Sequence, residues 1–246
     1  MARGEERSMT KDGVVETQPV SAIMDVPAPR VLTCAYFSRQ HIQSACHLLE
    51  LAKAIEERNR AGEPKEGLRI KYSAYVSGVI FASVAFLEAT INEFFWQCAE
   101  GPEERVKDLD ARTRKIMAGI WKQVLGKRFP LLEKYQIALS IAGQHQFDEG
   151  KRPYQDVRLL VDLRNELVHF KPEWVSDTPH RIEKKFASKR FRNPLAMPGS
   201  VFPDTILSWD CGRWSVASSL KLTDDFFGRI GLEPPYKDLR LGLKTK

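Results

Sequence analysis

The chain has 246 residues, of which 43% are hydrophobic, and it carries a formal net charge of +6. Such a length and apolar content indicate a soluble globular protein, and the moderate charge permits an anionic partner such as RNA without requiring one. The four cysteines are widely spaced and form no C-x-x-C pair, which argues against a disulfide framework and against a zinc ribbon.

The first 30 residues lack hydrophobic periodicity and end in "DVPAPR", so they are predicted to form a disordered arm, followed by a single domain at 31–246. They begin with charged residues and contain no apolar secretion signal. The most apolar run, 74–87, is shorter than the ~20 residues that a membrane span needs. We therefore expect a cytoplasmic protein without membrane association.

Helical spacing of apolar residues dominates the rest of the chain, and no β pattern or internal repeat is visible. The predicted helices lie near 36–60, 71–100, 101–125, 130–144, 156–174, 180–189 and 210–230. The second is apolar nearly all round, which is typical of a central helix, and the third is expected to start at Pro102. The fold class is therefore all-α: a bundle of about five to six helices with an irregular insertion before the last one.

The fifth predicted helix, "DVRLLVDLRNELVHFKPEW", has two distinct faces. At 100° per residue, one side is apolar and predicted to be core: Leu160, Leu163, Leu167 and Phe170. The opposite side is polar and predicted to be exposed: Asp162, Asn165, Glu166 and His169. Arg164 projects from the apolar side, where a cation is costly unless it is paired.

A second charge on an apolar stripe, Glu88, lies in the second predicted helix. One interpretation pairs Glu88 with Arg164 as an internal salt bridge that fixes two helices in register. That pairing does not exclude a functional role for Arg164, because a guanidinium has five donors and one carboxylate cannot use them all.

The polar residues of the fifth helix also suit metal-free RNA cleavage, in which a ribose 2′-OH attacks the adjacent phosphate. A histidine exchanges protons near neutral pH, an arginine holds a phosphate by two parallel hydrogen bonds, and an asparagine orients either group. Because one histidine can hardly act as both base and acid in one turnover, a two-fold dimer would supply the second.

The segment "RNELVH", Arg164 to His169, resembles the R-x(4–6)-H signature of the HEPN superfamily, in which a polar residue such as Asn165 commonly follows the arginine. The earlier apolar helix with an acidic residue, "FASVAFLEATINEFF", is also similar. The resemblance implies a helical homodimer with facing signature helices, and often a metal-independent endoribonuclease without a cofactor. It further implies a toxin–antitoxin or phage-defence setting, often beside a nucleotidyltransferase-like antitoxin.

In that resemblance Arg164, His169 and Asn165 are the catalytic residues, and Glu88, Asp162 and Glu166 support them. Some members have, two residues after the histidine, a tyrosine that a partner modifies; this chain has Lys171, which argues against such regulation. Other members are non-catalytic, so a module that binds RNA, a nucleotide or a protein is the alternative function.

The segment "HRIEKKFASKRFR" is strongly basic and interleaved with Phe186 and Phe191, a pattern that favours contacts with an RNA backbone and its bases. The predicted RNA-binding residues are Lys171, Arg181, Lys184, Lys185, Lys189, Arg190 and Arg192. The alternative is an ordinary basic surface helix. No metal site is predicted: Cys46 beside His47 is read as a buried thiol, and His180 has no recognisable partner.

Overall fold

The computed structural model describes residues 35–59, 66–122, 129–172, 174 and 178–239. These residues form seven α-helices and one 3₁₀ turn, with no strand, which confirms the predicted all-α class. The helices are α1 (Ser38–Arg58), α2 (Glu66–Ala99), α3 (Ala111–Ile120), α4 (Leu131–Ile141), α5 (Tyr154–Val168), α6 (Arg181–Phe186) and α7 (Trp209–Ile230). The arm predicted at 1–30 lies outside the described residues.

Helix α2 is the central helix of the bundle, as its uniformly apolar sequence predicts. It packs against α1, α3, α4, α5 and α7, and its side chains Phe86, Leu87, Ile91 and Phe95 are fully buried. With 34 residues it is also the one helix of the described part that is long and apolar enough to cross a membrane. Half of its most apolar window is buried inside the bundle, and the core helix of a soluble protein passes the same test of length and composition.

Helix α1 contacts α2 closely at its start and again near its middle. At its start, the Glu93 carboxylate of α2 accepts hydrogen bonds from the backbone N–H groups of Phe37 (2.7 Å) and Ser38 (2.9 Å). These are donors that the first turn of a helix cannot satisfy internally. Further along, a β-carbon at Gly78 would lie 2.8 Å from the Leu48 side chain, so glycine allows the two helices to approach closely.

The third helix starts later than predicted. A 3₁₀ turn occupies Glu103–Arg105, and α3 begins only at Ala111. The Asp110 carboxylate caps α3 by accepting a hydrogen bond from Thr113 N–H at 2.9 Å. The prediction of a helix from Pro102 was wrong because the capping aspartate, which comes just before the apolar periodicity resumes, is the stronger start signal.

Helix α5 follows the predicted two-faced pattern for most of its length. Leu160 and Leu163 are fully buried and Leu167 packs against the core. The helix ends at Val168 with His169 as its C-cap, a short distance before Pro172, which disfavours helical geometry in the residue that precedes it. Phe170 therefore leaves the helix and is 42% exposed, so its assignment to the core was wrong.

The described cysteines are free thiols, as the sequence predicts. Cys46 and Cys211 are buried and Cys98 is partly buried. Burial raises the pKa of Cys46 to about 11 and that of Cys98 to about 12, so both thiols are uncharged at neutral pH.

Candidate active site

A groove of about 570 Å³ runs along the polar face of α5. Its walls carry all four residues predicted for that face, together with one end of the basic segment. The lining residues are Asp162, Asn165, Glu166, His169, Lys171, Arg181, Ile182 and Lys185. The helical period of the sequence was therefore sufficient to identify the residues that α5 contributes to this groove.

His169 lies at the end of the groove, where α5 stops. Its backbone leaves the helical conformation (φ −108°, ψ 27°), and its N–H still donates to the carbonyl of Asn165 at 2.9 Å. The imidazole is exposed, as is the Asn165 amide one turn earlier. Both side chains are thus available to a ligand in the groove.

Three ion pairs join α5 to the basic segment that follows it. Lys189 binds Asp156 at 2.5 Å, Lys185 binds Asp162 at 2.7 Å, and Arg181 binds Glu166. Acidic residues that come later in α5 pair with basic residues that come earlier in the segment, so the two stretches run antiparallel. We call this set the ion-pair ladder.

The ladder changes how much positive charge the basic segment presents. Lys189 is mostly buried, and its ammonium is committed to Asp156. Arg181 and Lys185 keep exposed donors that face the groove, since a carboxylate does not use all of them. Other predicted RNA-binding residues are exposed and make no ion pair with described residues: Lys171, Lys184, Arg190 and Arg192. Arg190 has a left-handed backbone (φ 54°), and Arg192 lies at a separate hollow formed by the insertion.

The two phenylalanines of the basic segment do not point to solvent. Phe186 is buried, and both Phe186 and Phe191 pack on Trp214 of α7, with ring centroids 5.2 and 5.5 Å apart. The idea that they stack on bases was therefore wrong. Phe186 follows two lysines because one side of α6 is anchored on the core while the other faces solvent.

Arg164, the first residue of the signature, does not line the groove. It is partly buried on the neighbouring side of α5, and its Nε is buried without a hydrogen-bond partner in the described part of the chain. It makes no ion pair with any carboxylate among the described residues. The groove of a single chain therefore contains His169 and Asn165 but not the arginine.

Glu88 pairs with Lys134 of α4 and not with Arg164, so the predicted salt bridge was wrong. The Lys134 ammonium donates to Glu88 Oε1 and, at 2.9 Å, to Asn92 Oδ1. Lys134 is 6% exposed and Glu88 is 38% exposed. Glu88 therefore fixes α2 to α4 and does not reach the α5 groove.

Because Arg164 has no carboxylate partner, replacing it should cost little stability. We expect Arg164→Met to change the free energy of unfolding by no more than about 1 kcal/mol, since the methionine keeps the apolar stem and removes a buried unsatisfied donor. Urea denaturation of both proteins measures this difference. A loss of about 3–5 kcal/mol would show instead that the guanidinium has a buried ionic partner.

His180 is a site residue that the sequence did not reveal. Its ring stacks on Phe202, with centroids 4.1 Å apart and planes inclined by 4°, and its Nε2 lies 3.5 Å from Glu166 Oε1. Its Nδ1 accepts from the N–H of Ile182 at 3.2 Å and so caps α6. The available signal was the pattern "HRIE", a capping residue three positions before a glutamate.

Comparisons with models of protein families, with curated proteins and with solved structures found no match. The described residues include no group of three or more His, Cys, Asp or Glu side chains arranged to hold a metal ion. A functional assignment therefore depends on the groove itself.

Proposed function

We propose that the protein is an endoribonuclease of the HEPN type that cleaves RNA in the α5 groove without using a metal ion. The observation that carries this proposal is the exposed His169 in a groove that also contains an amide, Asn165, and three cations, Lys171, Arg181 and Lys185. A proton-exchanging group beside phosphate-binding cations is what cleavage by a ribose 2′-OH requires.

In the proposed reaction the 2′-oxygen forms a bond to phosphorus as the bond from phosphorus to the 5′-oxygen breaks. A base removes the proton of the 2′-OH, and an acid gives a proton to the departing 5′-oxygen. The products are a 2′,3′-cyclic phosphate and a 5′-OH end. His169 performs one of these proton transfers, Asn165 orients the ribose or the phosphate, and the cations stabilise the charge on the phosphoryl oxygens.

A homodimer completes this site in the proposal. His169 of a second copy would supply the other proton transfer, and Arg164, which lies outside the groove of its own chain, would contact phosphate only in a cleft shared by two copies. The resemblance to HEPN proteins supports this arrangement, and it also suggests a cytoplasmic toxin or phage-defence effector with a nucleotidyltransferase-like antitoxin.

The direct test is incubation of the purified protein with single-stranded and structured RNAs in excess EDTA. We expect cleavage that EDTA does not reduce, with cyclic phosphate and 5′-OH ends identified by mass spectrometry. Products with 5′-phosphate ends, or activity that EDTA abolishes, would contradict the proposal, because metal-activated water leaves different termini.

The second candidate function is a non-catalytic module that binds RNA through the same groove. The position of Arg164 outside the groove favours it, because the groove of one chain then lacks one member of the proposed catalytic pair. This candidate predicts RNA binding without product ends of either kind, and binding that His169→Ala leaves intact.

A further inference from the structure

A second cleft of about 680 Å³ adjoins the α5 groove. The two hollows share Arg181, so a ligand in one is next to the other. Residues around the end of α5 form one wall of this cleft, and the irregular insertion forms the other. Its lining includes four aromatic side chains and two cations: Phe170, Trp174, His180, Phe202, Arg181 and Lys184. We call this hollow the aromatic cleft.

The aromatic cleft has a fixed floor and an exposed rim. Its floor is Phe202, which is 5% exposed because His180 stacks on it and Phe170 lies 6.2 Å away. Its rim carries Phe170, 42% exposed, and Trp174, 99% exposed. A tryptophan that contributes nothing to the core keeps its whole ring face available for a planar ligand.

Charge around the aromatic cleft favours an anion over a second apolar surface. Lys184 and Arg181 line it, and Lys184 makes no ion pair with described residues. Among the described residues of the lining, the carboxylate is that of Glu183, which accepts from the Thr205 hydroxyl at 2.5 Å and from the His180 N–H at 2.9 Å, so it is occupied by structural hydrogen bonds. Exposed aromatic rings beside exposed cations are the combination that binds single-stranded nucleic acid.

We infer that the aromatic cleft binds an unpaired base of single-stranded RNA next to the phosphate held in the α5 groove. This inference rests on the proposed function, and it specifies the substrate as unpaired RNA. Bases within a duplex are stacked on each other and cannot enter the cleft, whereas the bases of loops and ends can turn outward onto a tryptophan or phenylalanine.

The test measures binding of a strand that cannot be cleaved. A short 2′-O-methyl RNA, which lacks the attacking hydroxyl, is labelled and titrated with the full-length protein by fluorescence anisotropy at fixed salt. It is used as a single strand and annealed to its complement. The variants are Trp174→Ala and Phe170→Ala, the conservative Trp174→Phe, and Phe37→Ala as a matched control, since Phe37 is an exposed phenylalanine outside the cleft.

We expect Trp174→Ala and Phe170→Ala each to raise the Kd for the single strand about tenfold, which is the loss of one stacked base. Trp174→Phe should restore most of the affinity, Phe37→Ala should behave as the wild type, and duplex binding should not respond to any of them. Equal affinity of the wild type and both alanine variants for the single strand would overturn the inference. Because this strand is not a substrate, that result would leave metal-independent cleavage standing, and absence of cleavage would not alter the binding result.

Discussion

Replacing His169 by alanine is expected to lower the rate of RNA cleavage by about 10²–10⁴-fold, which is the usual contribution of a general acid or base. The fold should remain intact, because the imidazole is exposed and the His169 N–H that closes α5 on Asn165 is retained in alanine. Cleavage rates are measured under single-turnover conditions in EDTA, and circular dichroism checks the helix content.

The matched control for this variant is His145→Ala. His145 is exposed like His169, but it lies in the loop after α4 and outside the α5 groove. Wild-type cleavage by His145→Ala together with loss in His169→Ala would place the proton transfer in the groove. Equal rates for wild type and His169→Ala would refute the assignment, and any remaining activity would have to come from another site or a contaminating nuclease.

The groove of α5 was largely predictable because a helix places its polar side chains by a fixed rotation. Asp162, Asn165, Glu166 and His169 needed only the 100° step to be assigned to one face, and all four line the groove. The same step placed Arg164 on a different side. The rotation along one helix does not determine which other helix packs against it. The partner of Glu88, which lies on a different helix, could therefore not be predicted in this way.

Long-range pairing was the part that the sequence did not determine. Lys134 follows Glu88 by 46 residues and sits within an apolar stretch of α4, next to the buried Tyr135. A buried carboxylate predicts that a cation will be nearby, but several cations lie in apolar segments and periodicity does not choose between them. Arg164 was the wrong choice for this reason.

The ion-pair ladder, in contrast, had a readable signal. Its basic members, Arg181, Lys185 and Lys189, are four residues apart, a spacing that puts them on one side of the helix predicted at 180–189. The acidic residues of α5 carry the complementary charge and precede them in the chain, which is compatible with an antiparallel return of the segment along α5. Neither the prediction of RNA contact nor the alternative of an ordinary surface helix included ion pairs between these residues and α5.

The Glu88–Lys134 pair gives the largest stability effect that we expect from a single charge. Glu88→Gln should lower the free energy of unfolding by about 2–3 kcal/mol, because it leaves a buried ammonium with only neutral acceptors. The value is below the ~3–5 kcal/mol of a fully buried pair because the Glu88 side chain is partly in water.

Removing the other partner should cost much less, and this asymmetry is the sharper test. In Lys134→Met the methionine fills the buried site, while the partly exposed Glu88 can be solvated in place, so we expect a loss of about 1 kcal/mol or less. Urea midpoints measured at equal m-values separate the two variants, with Arg164→Met as the reference for a cation that has no ionic partner. If Lys134→Met were as destabilising as Glu88→Gln, the main contribution of this site would be the mutual attraction of the two charges. The penalty for burying the Lys134 ammonium would then be smaller than that attraction, because Lys134→Met removes the penalty as well as the attraction.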